Sequence, residues 1–78
     1  MEETAEMMIK ILNEKIEVEK ELLPDTLIEE IKLDSLDLIH FLFLLGQKTG
    51  VEIEDETIVS EEIQTIADLA AYVDESRS

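Results

Sequence analysis

Ser35 has the surroundings in this chain that most clearly suggest chemistry. In KLDSLDLIHFLFLLGQKTG, residues 32–50, it follows Asp34, precedes Asp37 by two residues, and stands at the mouth of the most apolar segment. As the nucleophile of a self-contained enzyme it would need a base held by a third group. His40 is the one histidine of the chain. Five helical residues rotate a side chain by about 140°, so Ser35 and His40 should not meet, and neither a GxSxG elbow nor an SxxK pair is present. The chain is therefore read as a non-enzyme. Metal chemistry is equally poorly served: Glu54, Asp55 and Glu56 crowd together, as do Glu61 and Glu62, but without the ligand spacing and glycine of an EF-hand loop. These runs are read as a solvated acidic face, and no metal site is assigned. What remains is a serine to be acted upon. A helix N-terminus offers free amides and a favourable field to a phosphate on its first turn. On the residues alone, an ordinary first-turn serine beside an aspartate cap stays open as the alternative.

Length and charge limit the choices further. Seventy-eight residues make one domain, residues 1–78, near the size at which a single core is marginally sufficient. With 21 acidic and six basic side chains the formal charge is −15, which argues against nucleic acid as a partner. A hydrophobic content of 45% and a single proline favour a packed core over disorder. The absence of cysteine excludes disulfides and permits a reducing compartment. The opening MEETAEMM lacks the basic start and apolar run of a signal peptide. The densest apolar run, residues 38–45, contains His40 and ends at Gly46, far short of the roughly 20 residues a membrane span needs. A cytoplasmic, monomeric protein is expected.

The elements that must hold Ser35 follow from periodicity. Ala5, Met8, Ile9, Leu12 and Ile16 recur at helical spacing and predict a first helix over residues 4–16, with Thr4 as its N-cap. From residue 17 to 33 the pattern loses regularity. Pro24 and Asp25 mark a turn, Leu22, Leu23, Leu27, Ile28 and Ile31 anchor the connection, and one short helical turn is expected within residues 26–31. Asp34 should cap a second helix running to about Thr49, its carboxylate accepting from the amide of Leu36 or Asp37. Leu36, Ile39, Leu42, Phe43 and Leu45 are its core candidates. Leu38, Phe41 and Leu44 exceed what one buried face requires, so a surplus apolar side is left for a ligand, a partner or another wall of the bundle. A short turn over residues 56–59 and a last helix over residues 65–74 follow, the latter with Thr65 and Asp68 at capping-box spacing and Ile66, Leu69, Ala70 and Val73 inward. The expected fold is all-α: a small antiparallel four-helix bundle with three main helices, one short helix and a long first crossover loop.

At Asp34-Ser35-Leu36 the sequence resembles the attachment motif of acyl carrier proteins and related phosphopantetheine-binding carrier domains. The likeness extends through the first helix, the Leu27 and Ile31 anchors, DSLDLIHFLFLL, TGVEIEDE and TIADLAAYV, nearly the whole chain. The resemblance implies that Ser35 is the hydroxyl to which a phosphopantetheinyl transferase, using magnesium, attaches 4′-phosphopantetheine from coenzyme A. Acyl intermediates would then travel as thioesters to enzymes of fatty acid, lipid or polyketide biosynthesis. It implies that Asp34 orients the transferase and the first turn, and that Leu36 enters an apolar contact on partners. Residues 38–45 would line the recognition helix and part of a chamber for an acyl chain, with Ile58 at its flank. Partners would be acyl-activating, condensing or transfer enzymes with basic or apolar docking patches, met through Asp34, Leu36, Asp37, His40, Phe41, Phe43 and Ile58.

The chain departs from the common pattern of that family at three places. Lys32 replaces a glycine often found two residues before the aspartate. His40, Gly46 and Gln47 stand where the recognition helix usually carries glutamates, and Phe43 where a smaller or more flexible apolar residue is common. A specialised carrier is implied. A peptidyl or D-alanyl carrier is one alternative, and an unloaded acidic pseudo-carrier acting as an interaction protein is the other.

Overall fold

The computed structural model describes residues 2–16, 18 and 21–77, with Glu2 described in its backbone alone. Among these residues there are three long helices, α1 (Glu2–Glu14), α3 (Ser35–Thr49) and α5 (Ile66–Arg77), and two short ones, α2 (Ile28–Ile31) and α4 (Asp55–Ser60). The all-α bundle expected from the sequence is the fold observed, with α2 as the helical turn inside the long crossover. The expected start of that crossover, at Glu17, lies outside the described residues.

One core holds the three long helices together. Met8 and Leu12 of α1, Phe41 and Leu45 of α3, and Ile66, Leu69 and Val73 of α5 are its largest fully buried side chains. α1 packs most extensively on α5 and also meets α3, while α3 carries α4. Thr4, near the start of α1, donates from Oγ1 to Asp74 Oδ1 near the end of α5 at 2.6 Å, which makes these two helices antiparallel. This contact also corrects the expected cap. α1 begins at Glu2, so Thr4 lies inside its first turn, and its buried hydroxyl serves a partner 70 residues away rather than a local amide. The Thr4 hydrogen bond holds the Asp74 carboxyl below the usual carboxylate range.

The start of α5 shows how the long connection is fastened. A helix leaves its first amides without internal acceptors, and here each has a partner. Ile66 N donates to the Thr26 carbonyl at 3.1 Å, Ala67 N to Pro24 O at 2.8 Å and Leu69 N to Thr65 O at 3.1 Å. Asp68 N donates to Thr65 Oγ1 at 3.0 Å. In return, the amides of Thr65 and Gln64 both donate to Asp68 Oδ2 at 3.1 Å. This is the capping box anticipated from the spacing, with aspartate as its acid. Donation by the Thr65 and Gln64 amides lowers the Asp68 pKa. An isolated antiparallel bridge, Leu27 to Thr65, and an Ile28 N to Gln64 O bond at 2.8 Å complete the seam. The connection that carries α2 toward Ser35 is thus tied by backbone hydrogen bonds to the start of the last helix.

Glycine is required at the far end of α3. Gly50 caps it at φ 77°, its amide donating to Gly46 O at 2.7 Å, a left-handed conformation that L residues rarely adopt. A Cβ on Gly46 would lie 3.3 Å from the Val51 carbonyl oxygen. Its place inside the helix therefore lets the following segment return closely and bury Ile53.

Candidate functional site: the N-terminus of α3 and its adjoining cleft

α3 begins where the sequence places it. Asp34 is extended, at φ −77° and ψ 177°, and its Oδ1 accepts from the Asp37 amide at 2.8 Å. Its carbonyl takes the Leu38 amide at 2.9 Å. Among the described residues no acceptor takes the amides of Ser35 or Leu36. Ser35, the first residue of this 15-residue helix, is exposed to solvent. The site therefore presents an open hydroxyl, two unclaimed amides and the positive end of a helix dipole, a set that fits a phosphate ester on that hydroxyl.

Beside Ser35 lies an open cleft of about 570 Å³ between α2, the start of α3 and α4, within the size range of small-molecule sites. Leu33 and Leu38, which bracket Ser35 in the chain, form one part of its wall. Ile58, partly buried as a cleft residue, and Val59 form the opposite part from α4. Lys32, at the rim, closes α2 with φ 57° and ψ 44°. This left-handed conformation is the physical reason a glycine suits the position, and a lysine adopts it here.

The faces of α3 differ from the sequence expectation. Leu38, Phe41, Leu42 and Leu45 face inward at spacings of three, one and three, with Phe41 only 2% exposed. Phe41, expected among the partner contacts, is a core residue and is not placed to touch a partner. Conversely, Leu36, Ile39 and Phe43, expected in the core, are 78%, 57% and 60% exposed. Together they form an outward apolar stripe, with His40 also exposed beside it. Ile39 is the docking candidate that the sequence reading missed. Its three- and four-residue spacing from Leu36 and Phe43 was the available signal, masked because α3 is apolar nearly all round. At the far end of the stripe, Phe43, Gly46 and Gln47 border a hollow of about 430 Å³, with Glu52 and Glu54 on its opposite side.

Comparison with known proteins identifies the family. The family described as "Phosphopantetheine attachment site" matches residues 6–73. The acyl carrier protein of Zymomonas mobilis subsp. mobilis is 34% identical over 84 residues, which cover 100% of both chains. That of Helicobacter hepaticus is 31% identical over 77 residues, covering 96% of this chain and 99% of its own length. The fold and match define a phosphopantetheine-bearing carrier, a class of proteins that carry rather than catalyse. The chain belongs to the acyl carrier protein family, whose cofactor is 4′-phosphopantetheine. A carrier of this class works with a transferase and with biosynthetic enzymes. No helix among the described residues is long and apolar enough to cross a membrane.

Proposed function

We propose that Ser35 is the attachment residue and that the protein delivers acyl intermediates, as a monomer in the cytoplasm, to enzymes of fatty acid, lipid or polyketide biosynthesis. The observation that carries this reading is the exposed Ser35 hydroxyl at the capped start of α3, within the family match. The 4′-phosphopantetheine group, when attached, supplies a flexible arm ending in a thiol, which this cysteine-free chain lacks.

Each residue then has a physical task. Ser35 Oγ forms the new bond to phosphorus, losing its proton to the transferase as the pyrophosphate bond of coenzyme A breaks and adenosine 3′,5′-bisphosphate leaves. The free amides of Ser35 and Leu36 lie at the same helix end as the resulting negative charge. Asp34 fixes the first turn and, with Asp37, offers carboxylates to a basic docking patch. Leu36 supplies an apolar contact. Leu33, Leu38 and Ile58 give an acyl chain a partial shelter, and at most about 0.8 kcal/mol per buried methylene is a hold that a docked enzyme can reverse. The net charge of −15 accelerates encounter with basic partners in a salt-dependent way.

Mass analysis of the protein purified from its own cells tests this reading. A Ser35 peptide carrying the arm, with an aliphatic acyl thioester, supports it. An aminoacyl thioester would instead identify a peptidyl or D-alanyl carrier, and complete absence of the arm a pseudo-carrier.

A further inference from the structure

Lys32 holds a left-handed backbone conformation, φ 57° and ψ 44°, that disfavours any residue with a Cβ. Strained positions of this kind cluster at functional sites, and Lys32 stands at the cleft that opens beside Ser35. It is the only basic residue among those lining that cleft. Glu29 of α2 and Glu62, in the turn after α4, line the same cleft, yet no ion pair ties the Lys32 ammonium to a described residue. Two residues lie between it and Ser35, a chain span of at most about 11 Å, which its four-methylene stem and the phosphodiester projecting from Ser35 can bridge together.

A phosphodiester on Ser35 adds negative charge beside Asp34 and Asp37 in a protein already at −15. The two free amides offset part of it. The next basic residues along the sequence are Lys20 and Lys48, so Lys32 is the basic residue nearest to Ser35 in sequence. Resting on the reading of Ser35 as the attachment residue, we propose that Lys32 is a positioning residue for the arm. Its ammonium pairs with the phosphodiester and turns the arm toward the cleft between α2 and α4, away from the exposed stripe of Leu36 and Ile39. The carrier would thereby hold its cargo over the apolar walls of Leu33, Leu38 and Ile58 between dockings.

The experiment uses holo protein, with the parent compared with Lys32→Gly, which suits the left-handed backbone, and Lys32→Gln, which keeps a side chain. Loading is scored first by intact mass. Phosphorus-31 NMR is then followed from pH 7 to 11. A phosphodiester does not titrate there and carboxylates as a class titrate near pH 4, whereas lysines titrate near pH 10. The expected result is a phosphorus resonance that moves with a lysine titration in the parent and stays nearly still in both variants. Nuclear Overhauser contacts from the Lys32 ε-methylene to the arm should accompany it. Identical titration curves in all three proteins, or arm contacts confined to Leu36 and Ile39, would overturn the proposal. Failure of the parent to load would remove the Ser35 reading and this one with it. Normal loading with unchanged curves would remove only the role of Lys32.

Discussion

The Asp34 carboxylate and the Asp37 amide, 2.8 Å apart, close the first turn of α3 around Ser35 and leave its hydroxyl facing outward. The same aspartate is thus a structural cap and a charge beside Ser35, and two substitutions separate these roles. Asp34→Ala should lower stability by about 1 kcal/mol, as loss of an N-cap does. Asp34→Asn should stay close to the parent, because its side-chain oxygen can still cap. If the transferase reads the carboxylate, both variants should load more slowly. Thermal unfolding and loading rates check the two roles independently, and normal loading of Asp34→Asn would confine Asp34 to capping.

Gly50 and Lys32, two of the three described residues with positive φ, predict substitutions of opposite sign. Gly50→Ala places a Cβ at φ 77° and should destabilise by about 1 kcal/mol. Lys32→Gly relieves the same strain at φ 57° but adds freedom to the unfolded chain, so a net gain of about 0.5 kcal/mol is expected. Urea titrations of the apo proteins measure both changes.

Acid should weaken the cap of α5. The Asp68 pKa is lowered from its usual 3.8 by the Thr65 and Gln64 amides. Its contribution is therefore fully present above pH 3.8 and is lost as the pH falls through the lowered value. The Tm of the parent should exceed that of Asp68→Asn by a constant margin from pH 7 to about 5, and the margin should shrink on further acidification. A margin that widens in acid would contradict this sign.

The stripe on α3 predicts a separation between docking and folding. Leu36→Ala and Phe43→Ala remove exposed side chains and should change stability by no more than about 0.5 kcal/mol. They should shorten the lifetime of complexes with a condensing or transfer enzyme, whereas added salt should slow association. Phe41→Ala empties a core position and should cost about 3–5 kcal/mol. Surface plasmon resonance across salt concentrations, paired with Tm, separates these cases. Parental dissociation rates in folded Leu36→Ala and Phe43→Ala would remove the stripe from the docking surface.

Local signals made most of the fold legible. The span of α3 follows from Asp34 and Gly50, and the capping box from Thr65 and Asp68, because each depends on neighbours a few residues away. The inward stripe of Ile66, Leu69, Ala70 and Val73 was equally plain, since Ile66, Leu69 and Val73 are the large aliphatic residues of that helix and recur at spacings of three and four. The orientation of α3 was not legible, because a helix apolar nearly all round has no periodic contrast to choose its buried face. Thr4 was misread since its partner, Asp74, is distant in sequence. The seam between Leu27 and Thr65 was hidden for the same reason. At the site, Ser35 and its cap were visible as sequence, while the left-handed backbone of Lys32 became evident only in three dimensions.

Intact-mass measurement of the apo protein after incubation with a broad-specificity phosphopantetheinyl transferase, coenzyme A and magnesium tests the central claim most directly. The parent should gain the mass of one phosphopantetheine group, and Ser35→Ala, folded and otherwise identical, should gain none. A parent that remains unmodified by transferases active on other carriers, or a Ser35→Ala variant that still acquires the group, would contradict the assignment of Ser35.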